Sequence, residues 1–187
     1  MNPRCVAEPR VAVLGLGNLM RSDDAVGMLA LQRLRADPRF PRFAALIEGG
    51  TLGLDLIYPL EGITHLLALD AIDAGARPGT LLRYSGDEIS TLPISKSVHL
   101  LGLSDLIGAM HLVESAPAEI VVLGVQPQFT GWGTELTSKV DAALATLVEC
   151  AMDQVLRWTG DVTGPLHHAA QSDCLPELVA AEEAWYW

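Results

Sequence analysis

Short, continuous apolar runs alternate along the chain with segments in which apolar residues return every three or four positions. The first run, Val11 to Leu16, offers solvent no polar position, the pattern of a strand buried on both faces of a largely parallel sheet. A glycine-rich turn, Gly15 to Asn18, ends it. Ser22 is then a candidate helix cap, with Asp23 and Asp24 in the first turn and Val26, Leu29, Ala30 and Leu34 on one face of a helix that stops before Pro38. A second strand is predicted around Phe43 to Ile47, closing in Glu48-Gly49-Gly50-Thr51, and a short helix over Leu52 to Leu60, bounded by Pro59 and Gly62.

The alternation continues. Thr64 to Leu69 is a third apolar strand with Asp70 at its end, and Pro78-Gly79 turns the chain into a fourth, Thr80 to Tyr84. Gly86 to Ser97 is expected to be mostly loop. His99 precedes a helix read from Leu103, Leu106, Ile107 and Met110, and Glu119 to Val125 is a fifth strand. Thr134 to Trp158, ended by Gly160, is the longest helix, with Leu136, Val140, Leu144, Leu147, Ala151 and Val155 on one face. This rhythm predicts an α/β fold in three layers, a mostly parallel five-stranded twisted sheet flanked by helices, as one domain over residues 1–160. Residues 161–187 differ in composition: five acidic residues, two prolines and no lysine or arginine make an acidic C-terminal extension, either flexible or docked through Trp185, Tyr186 and Trp187.

Charge narrows the functional classes. Twelve basic against twenty-three acidic residues leave a net charge of −11, which repels phosphate backbones and anionic lipid, so nucleic acid is not an expected partner. Met1 to Arg10 has no apolar run behind its arginines, and no later stretch stays apolar for the length of a membrane span; a soluble, cytoplasmic protein with no membrane partner is expected. Cys5, Cys150 and Cys174 are odd in number and far apart, which suits a reducing compartment better than a disulfide framework.

Doubly wound sheets place ligands beyond the carboxyl ends of their strands, and three polar features collect there. They are Gly15-Leu16-Gly17-Asn18 with Asp23-Asp24 close behind, Asp70 after its strand, and His99 in a polar loop before a helix. Two carboxylates and an imidazole from separate segments can converge on one divalent cation and leave positions open for a carbonyl or a water. Each has a structural alternative. Acidic residues after a serine are common partners of the helix dipole, and one of Asp23 and Asp24 is expected to be only that. An aspartate after a strand often caps a turn, and Asp73 rivals Asp70. His65 and His111, embedded in apolar runs, read as structural.

Other chemistries fit less well. The chain has no H-E-x-x-H and no G-x-S-x-G, and Cys150 sits on an apolar helix face where a buried thiol is expected. Gly15-x-Gly17 follows a strand, yet Met20 stands where a dinucleotide fingerprint has its third glycine, and Glu48 lies too far along to be its acidic partner.

The segment from Gly15 to Gly27 (GLGNLMRSDDAVG) closely resembles the opening motif of the hydrogenase maturation proteases. Glu48-Gly49-Gly50-Thr51 resembles their D-G-G-T, Leu69-Asp70-Ala71-Ile72-Asp73 their third-strand aspartate motif, and Ser97 to Leu103 (SVHLLGL) their histidine segment; Gly124-Val125-Gln126-Pro127 matches in place and type. Several motifs in order over residues 11 to 158 are far more specific than any one alone. Carried over by position, the resemblance implies an aspartyl endopeptidase-like hydrolase whose catalytic and metal-binding residues are Asp24, Asp70 and His99, with Gly15, Gly17, Asn18, Gly49, Gly50 and Thr51 in loops that approach substrate. The expected partner is a nickel-iron hydrogenase large-subunit precursor that carries nickel and loses a C-terminal extension; another divalent metal can stand in for nickel in crystals. Asp24 is glutamate in some relatives, and Glu48 replaces the family's aspartate. Ser172-Asp173-Cys174-Leu175 is similar to a segment of relatives that serve uptake hydrogenases. A nickel chaperone that recognises the large subunit without cutting it is the alternative, and a nucleotide-binding domain the third reading.

Overall fold

The structure, a computed structural model, describes residues 9–85, 88 and 98–160; the side chains of residues 98–101 lie outside the described set. The loop expected over Gly86 to Ser97, apart from Glu88, and the acidic extension with its aromatic end also lie outside it.

Five strands form one sheet: β1 (Val11–Leu16), β2 (Ala45–Gly50), β3 (His65–Ala71), β4 (Leu81–Ser85) and β5 (Glu119–Val125). Their spatial order is β2-β1-β3-β5-β4. The first four in that order run parallel, with Val13 opposite both Leu46 and Leu67, and Leu67 opposite Val121. At one edge β4 lies antiparallel to β5. The mostly parallel five-stranded α/β architecture expected from the apolar rhythm is therefore observed.

Side chains on successive strand positions point to opposite faces, so the fully apolar runs feed two cores. Val11, Val13, Leu67, Leu69, Val121 and Leu123 pack on one face against helices α1 (Val26–Ala36) and α3 (Ser138–Thr159). Ala12, Leu14, Leu66, Ala68 and Val122 pack on the other, under Leu103, Leu106 and Met110 of α2 (Val98–Leu112). The edge strands β2 and β4 are less buried than the three central ones. Among the described residues no helix is long and apolar enough to cross a membrane.

Several boundaries differ from the sequence reading: β2, expected around Phe43 to Ile47, is found at Ala45–Gly50, and β3, expected to end at Leu69, runs through Asp70 to Ala71. Ser22 does not cap α1: it opens a single 3-10 turn (Ser22–Ala25) with φ of 43°, and the N–H groups of Ser22, Asp23 and Asp24 donate to backbone carbonyls rather than to a capping side chain. The segment Leu52 to Leu60 holds only one 3-10 turn, Leu54–Leu56, because the few residues between Gly53 and Pro59 are too short to repay helix nucleation. His99 lies within the first turn of α2 rather than in a loop before it. The last helix starts at Ser138, not Thr134, since Thr137 is held in extended conformation by a distant carboxylate. Its end is as expected, with Gly160 at φ 67°.

Candidate active site at the carboxyl edge of the sheet

The loop after β1 is shaped by contacts that only glycine permits. Gly17 has φ of 112°, and a Cβ there would stand 1.8 Å from the Asp24 carbonyl oxygen. The Gly17 N–H donates to the Gly50 carbonyl at 2.9 Å, which ties the end of β1 to the end of β2. Farther on, a Cβ at Gly27 would stand 2.1 Å from the Leu69 carbonyl oxygen, so the first turn of α1 lies directly on the end of β3. The 3-10 turn that carries Asp24 thus abuts the strand that carries Asp70.

The two neighbouring aspartates do different work. Asp23 has no exposed surface. Its Oδ2 accepts the N–H groups of Gln128 and Phe129 at 2.8 and 2.9 Å and the Thr137 hydroxyl at 2.9 Å, while Oδ1 accepts the Thr137 N–H at 2.6 Å. It staples the whole segment after β5 to the segment after β1, and is the structural member of the pair. Asp24 is partly exposed, and its Oδ2 accepts the Asn18 N–H at 2.9 Å. Asn18 in turn accepts the Met20 N–H through its Oδ1, also at 2.9 Å. The turn therefore presents the Asp24 carboxylate in a fixed position.

Asp70 lies in β3 with no exposed surface, and its Oδ1 accepts the N–H of Ala71 at 2.8 Å. Its rival Asp73 accepts the Gln126 side-chain amide at 2.9 Å and the Gly75 N–H at 3.1 Å. The Gln126 Oε1 accepts Ala74 and Ala76 N–H groups at 2.8 and 3.0 Å, so Asp73 and Gln126 together fix the chain between β3 and β4. Glu48 leaves the edge altogether and pairs with Arg35 of α1.

Residue 99 falls in the first turn of α2, and three residues later Gly102 approaches Gly53 in the segment after β2: a Cβ on Gly102 would lie 3.9 Å from the Gly53 Cα. The amino end of α2 thus sits at the same edge as Asp24 and Asp70. The imidazole of His99 lies outside the described residues. Among the described residues no three His, Cys, Asp or Glu side chains gather as a metal site. Of the loop residues, Gly15 lies in β1, Gly49 and Gly50 end β2, and Thr51 is exposed just beyond. His65 is structural, 5.3 Å from the Trp158 ring and 3.8 Å from Glu119, whereas His111 is exposed.

Sequence reasoning overlooked the segment after β5. The Gly133 N–H donates to the Met20 carbonyl, the Gly133 carbonyl accepts the Ser22 N–H, and the Phe129 carbonyl accepts the Asp23 N–H. Only the Gln126-Pro127 motif at its start marks it in the sequence.

Comparison with known proteins points to one family. Residues 28–154 match the model of a family described as hydrogenase maturation protease. The hydrogenase expression/formation protein HupD of Bradyrhizobium diazoefficiens is 31% identical over 176 residues, covering 92% of each chain. Hydrogenase 2 maturation protease of Escherichia coli is 32% identical over 149 residues, 79% of this chain and 88% of that one. Among solved structures, the hydrogenase maturating endopeptidase HybD from E. coli superposes with a TM-score of 0.74 at 30% identity, covering 81% of this chain and 94% of its own. The nickel-iron hydrogenase maturation protease HybD from Thermococcus kodakarensis gives 0.66 at 28% identity, covering 78% and 98%. With its strand order, its glycine-shaped first loop and these likenesses in agreement, the chain belongs to the hydrogenase maturation protease family, and it is a peptidase.

Proposed function

We propose that this peptidase removes the C-terminal extension of a nickel-iron hydrogenase large-subunit precursor, and that Asp24, Asp70 and His99 meet the nickel which that substrate carries. The observation behind this reading is the approach of the Asp24 turn to the end of β3, which puts two carboxylates from distant segments at one edge, beside the first turn of α2.

Two carboxylates and one imidazole suit a borderline divalent ion but grip it less firmly than thiolates do, so nickel arriving already bound by the substrate fits this donor set better than a resident ion. Asp24, the more accessible carboxylate, meets the substrate first. The absence of a Cβ at Gly17 lets the Asp24 turn close onto the end of β1, which holds the Asp24 carboxylate where a substrate would approach. Either carboxylate can then take the proton of the attacking water. The activity belongs in the cytoplasm, where three widely spaced cysteines suit a reducing compartment.

Incubating the full chain with a nickel-loaded large-subunit precursor and weighing the product tests this reading. Loss of a C-terminal peptide is expected. A nickel chaperone using the same residues would leave the precursor's mass unchanged, and an unchanged mass would refute the peptidase reading.

A further inference from the structure

Gln126 directly follows β5 and is only 5% exposed. Its backbone N–H donates to the Thr80 carbonyl at 2.8 Å, and its carbonyl accepts the Gly79 N–H at 2.9 Å. Its Oε1 accepts the N–H groups of Ala74 and Ala76, while Nε2 donates to Asp73 Oδ1 at 2.9 Å and to the Pro127 carbonyl at 3.2 Å. Both donors and the acceptor of the buried amide are engaged, and residues 73 to 80 are wrapped around it.

That loop is the continuation of Asp70. Opposite Asp70 on β5 stands Gly124, where a Cβ would lie 2.3 Å from Ile72 Cδ1. Opposite Ala71 stands Val125, whose carbonyl accepts the Ile72 N–H at 3.0 Å. On the other side β1 pairs with β3 no farther than Leu69, and the Ala71 N–H goes to the Asp70 carboxylate at 2.8 Å. The direction of that carboxylate therefore follows the backbone at Ala71, whose register is held by pairing that ends at Gln126.

The same segment grips the other acidic turn. Just past Pro127, with its fixed φ, the N–H groups of Gln128 and Phe129 donate to Asp23 Oδ2, and the Phe129 carbonyl accepts the Asp23 N–H. Asp23 is the chain neighbour of Asp24. Residues 126 to 129 thus form a short bridge with one end on the loop after Asp70 and the other on the turn that carries Asp24. Groups that act together on one ion or carbonyl work only when their spacing is held to a fraction of an ångström.

We infer that Gln126 is a positioning residue: by locking the loop after β3 to this bridge, it sets the spacing between the Asp70 and Asp24 carboxylates. It acts through Asp70 and not on the substrate. The inference rests on the proposed reading of Asp24 and Asp70 as the reacting pair.

Steady-state cleavage of the nickel-loaded precursor, at temperatures well below each variant's melting point, tests it in the full chain with Gln126→Met, Gln126→Glu, Gln126→Glu with Asp73→Asn, Gln154→Met and Asp70→Asn. Gln154 of α3 is as buried as Gln126, at 5% exposed, and accepts a bond from Arg83, so it controls for the loss of a buried amide as such. Gln126→Met is expected to lower kcat about tenfold or more with KM nearly unchanged, as loss of a partner that orients a ligand should. Gln154→Met is expected to leave both constants as they are. Gln126→Glu can donate to Asp73 only while a proton is shared between the two carboxyls, so its kcat relative to the unsubstituted chain should fall as pH rises. Adding Asp73→Asn supplies the missing donor and should remove that fall. If Gln126→Met keeps its kcat while Asp70→Asn abolishes cleavage, the positioning role is wrong and the site stands. An equal loss of kcat in Gln154→Met, or a pH profile that Asp73→Asn does not alter, would reduce Gln126 to general support of the fold and overturn the inference. Normal cleavage by Asp70→Asn would remove the site itself, and the inference with it.

Discussion

At the amino edge of the sheet the chain is joined mainly by its backbone: Thr64 and His65 donate to the Arg10 carbonyl, and Ala118 and Glu119 donate to the Thr64 carbonyl. The charged groups there lie at the surface, as in the cluster of Arg39 with Asp37 and Glu149 at 2.6 Å, in which Arg39 and Glu149 are exposed and Asp37 is partly buried. At the carboxyl edge the loops are longer and are fastened by buried carboxylates, Asp23 above all, with Asp70 equally hidden in β3. Both edges close the same sheet, yet among the described residues the fully buried carboxylates, Asp23 and Asp70, lie at one of them. Exposed ion pairs add little to stability, whereas a buried carboxylate is tolerated where it holds a loop or serves chemistry. The contrast sets the edge that carries the proposed site apart from the opposite one.

Substitutions at the two edges should differ accordingly. The largest effect is expected at the proposed site: Asp24→Asn and Asp70→Asn keep an oxygen to accept the Asn18 and Ala71 N–H groups, so the fold should survive, while precursor processing falls by about a hundredfold or more. Processing rates followed by mass spectrometry, with thermal melts as the folding control, check this. Asp23→Ala strands several buried donors at once and should cost about 3 kcal/mol in a denaturant titration. Next comes Gly27→Ala, which forces α1 off the Leu69 carbonyl and should cost about 2 kcal/mol by the same measurement.

The smallest effect is expected at the amino edge. Hydrogen bonds from Arg39 hold the Asp37 carboxyl below its ordinary pKa. A lowered pKa in the fold means stability that is present above the unfolded pKa and lost as pH falls through the folded one. Asp37→Asn should therefore melt slightly lower than the unsubstituted chain near neutrality, with the difference vanishing in acid. A gap that widened in acid would contradict this.

The central strands and the ends of α1 and α3 were legible because their signals are local: unbroken apolar runs for β1, β3 and β5, Pro38 after α1 and Gly160 after α3. Ser22 and Thr134 misled because a contact distant in sequence decides their surroundings. Asp23, which local reasoning places in a helix's first turn, spends its oxygens on residues 128 to 137, and that holds Thr137 extended and delays α3. For the candidate site, the sequence placed Asp24 and Asp70 at the carboxyl edge, and the glycine contacts at Gly17 and Gly27 explain how the two segments come so near.

Nickel-edge X-ray absorption on the precursor, alone and in a rapidly frozen complex with this chain, probes the proposed convergence on the metal itself. Oxygen and nitrogen neighbours should join the nickel's sulfur shell in the complex, and fewer should join it with Asp24→Ala or His99→Ala. A nickel spectrum that is the same with and without the chain, under conditions where the precursor is still cut, would show that these three residues do not meet the ion.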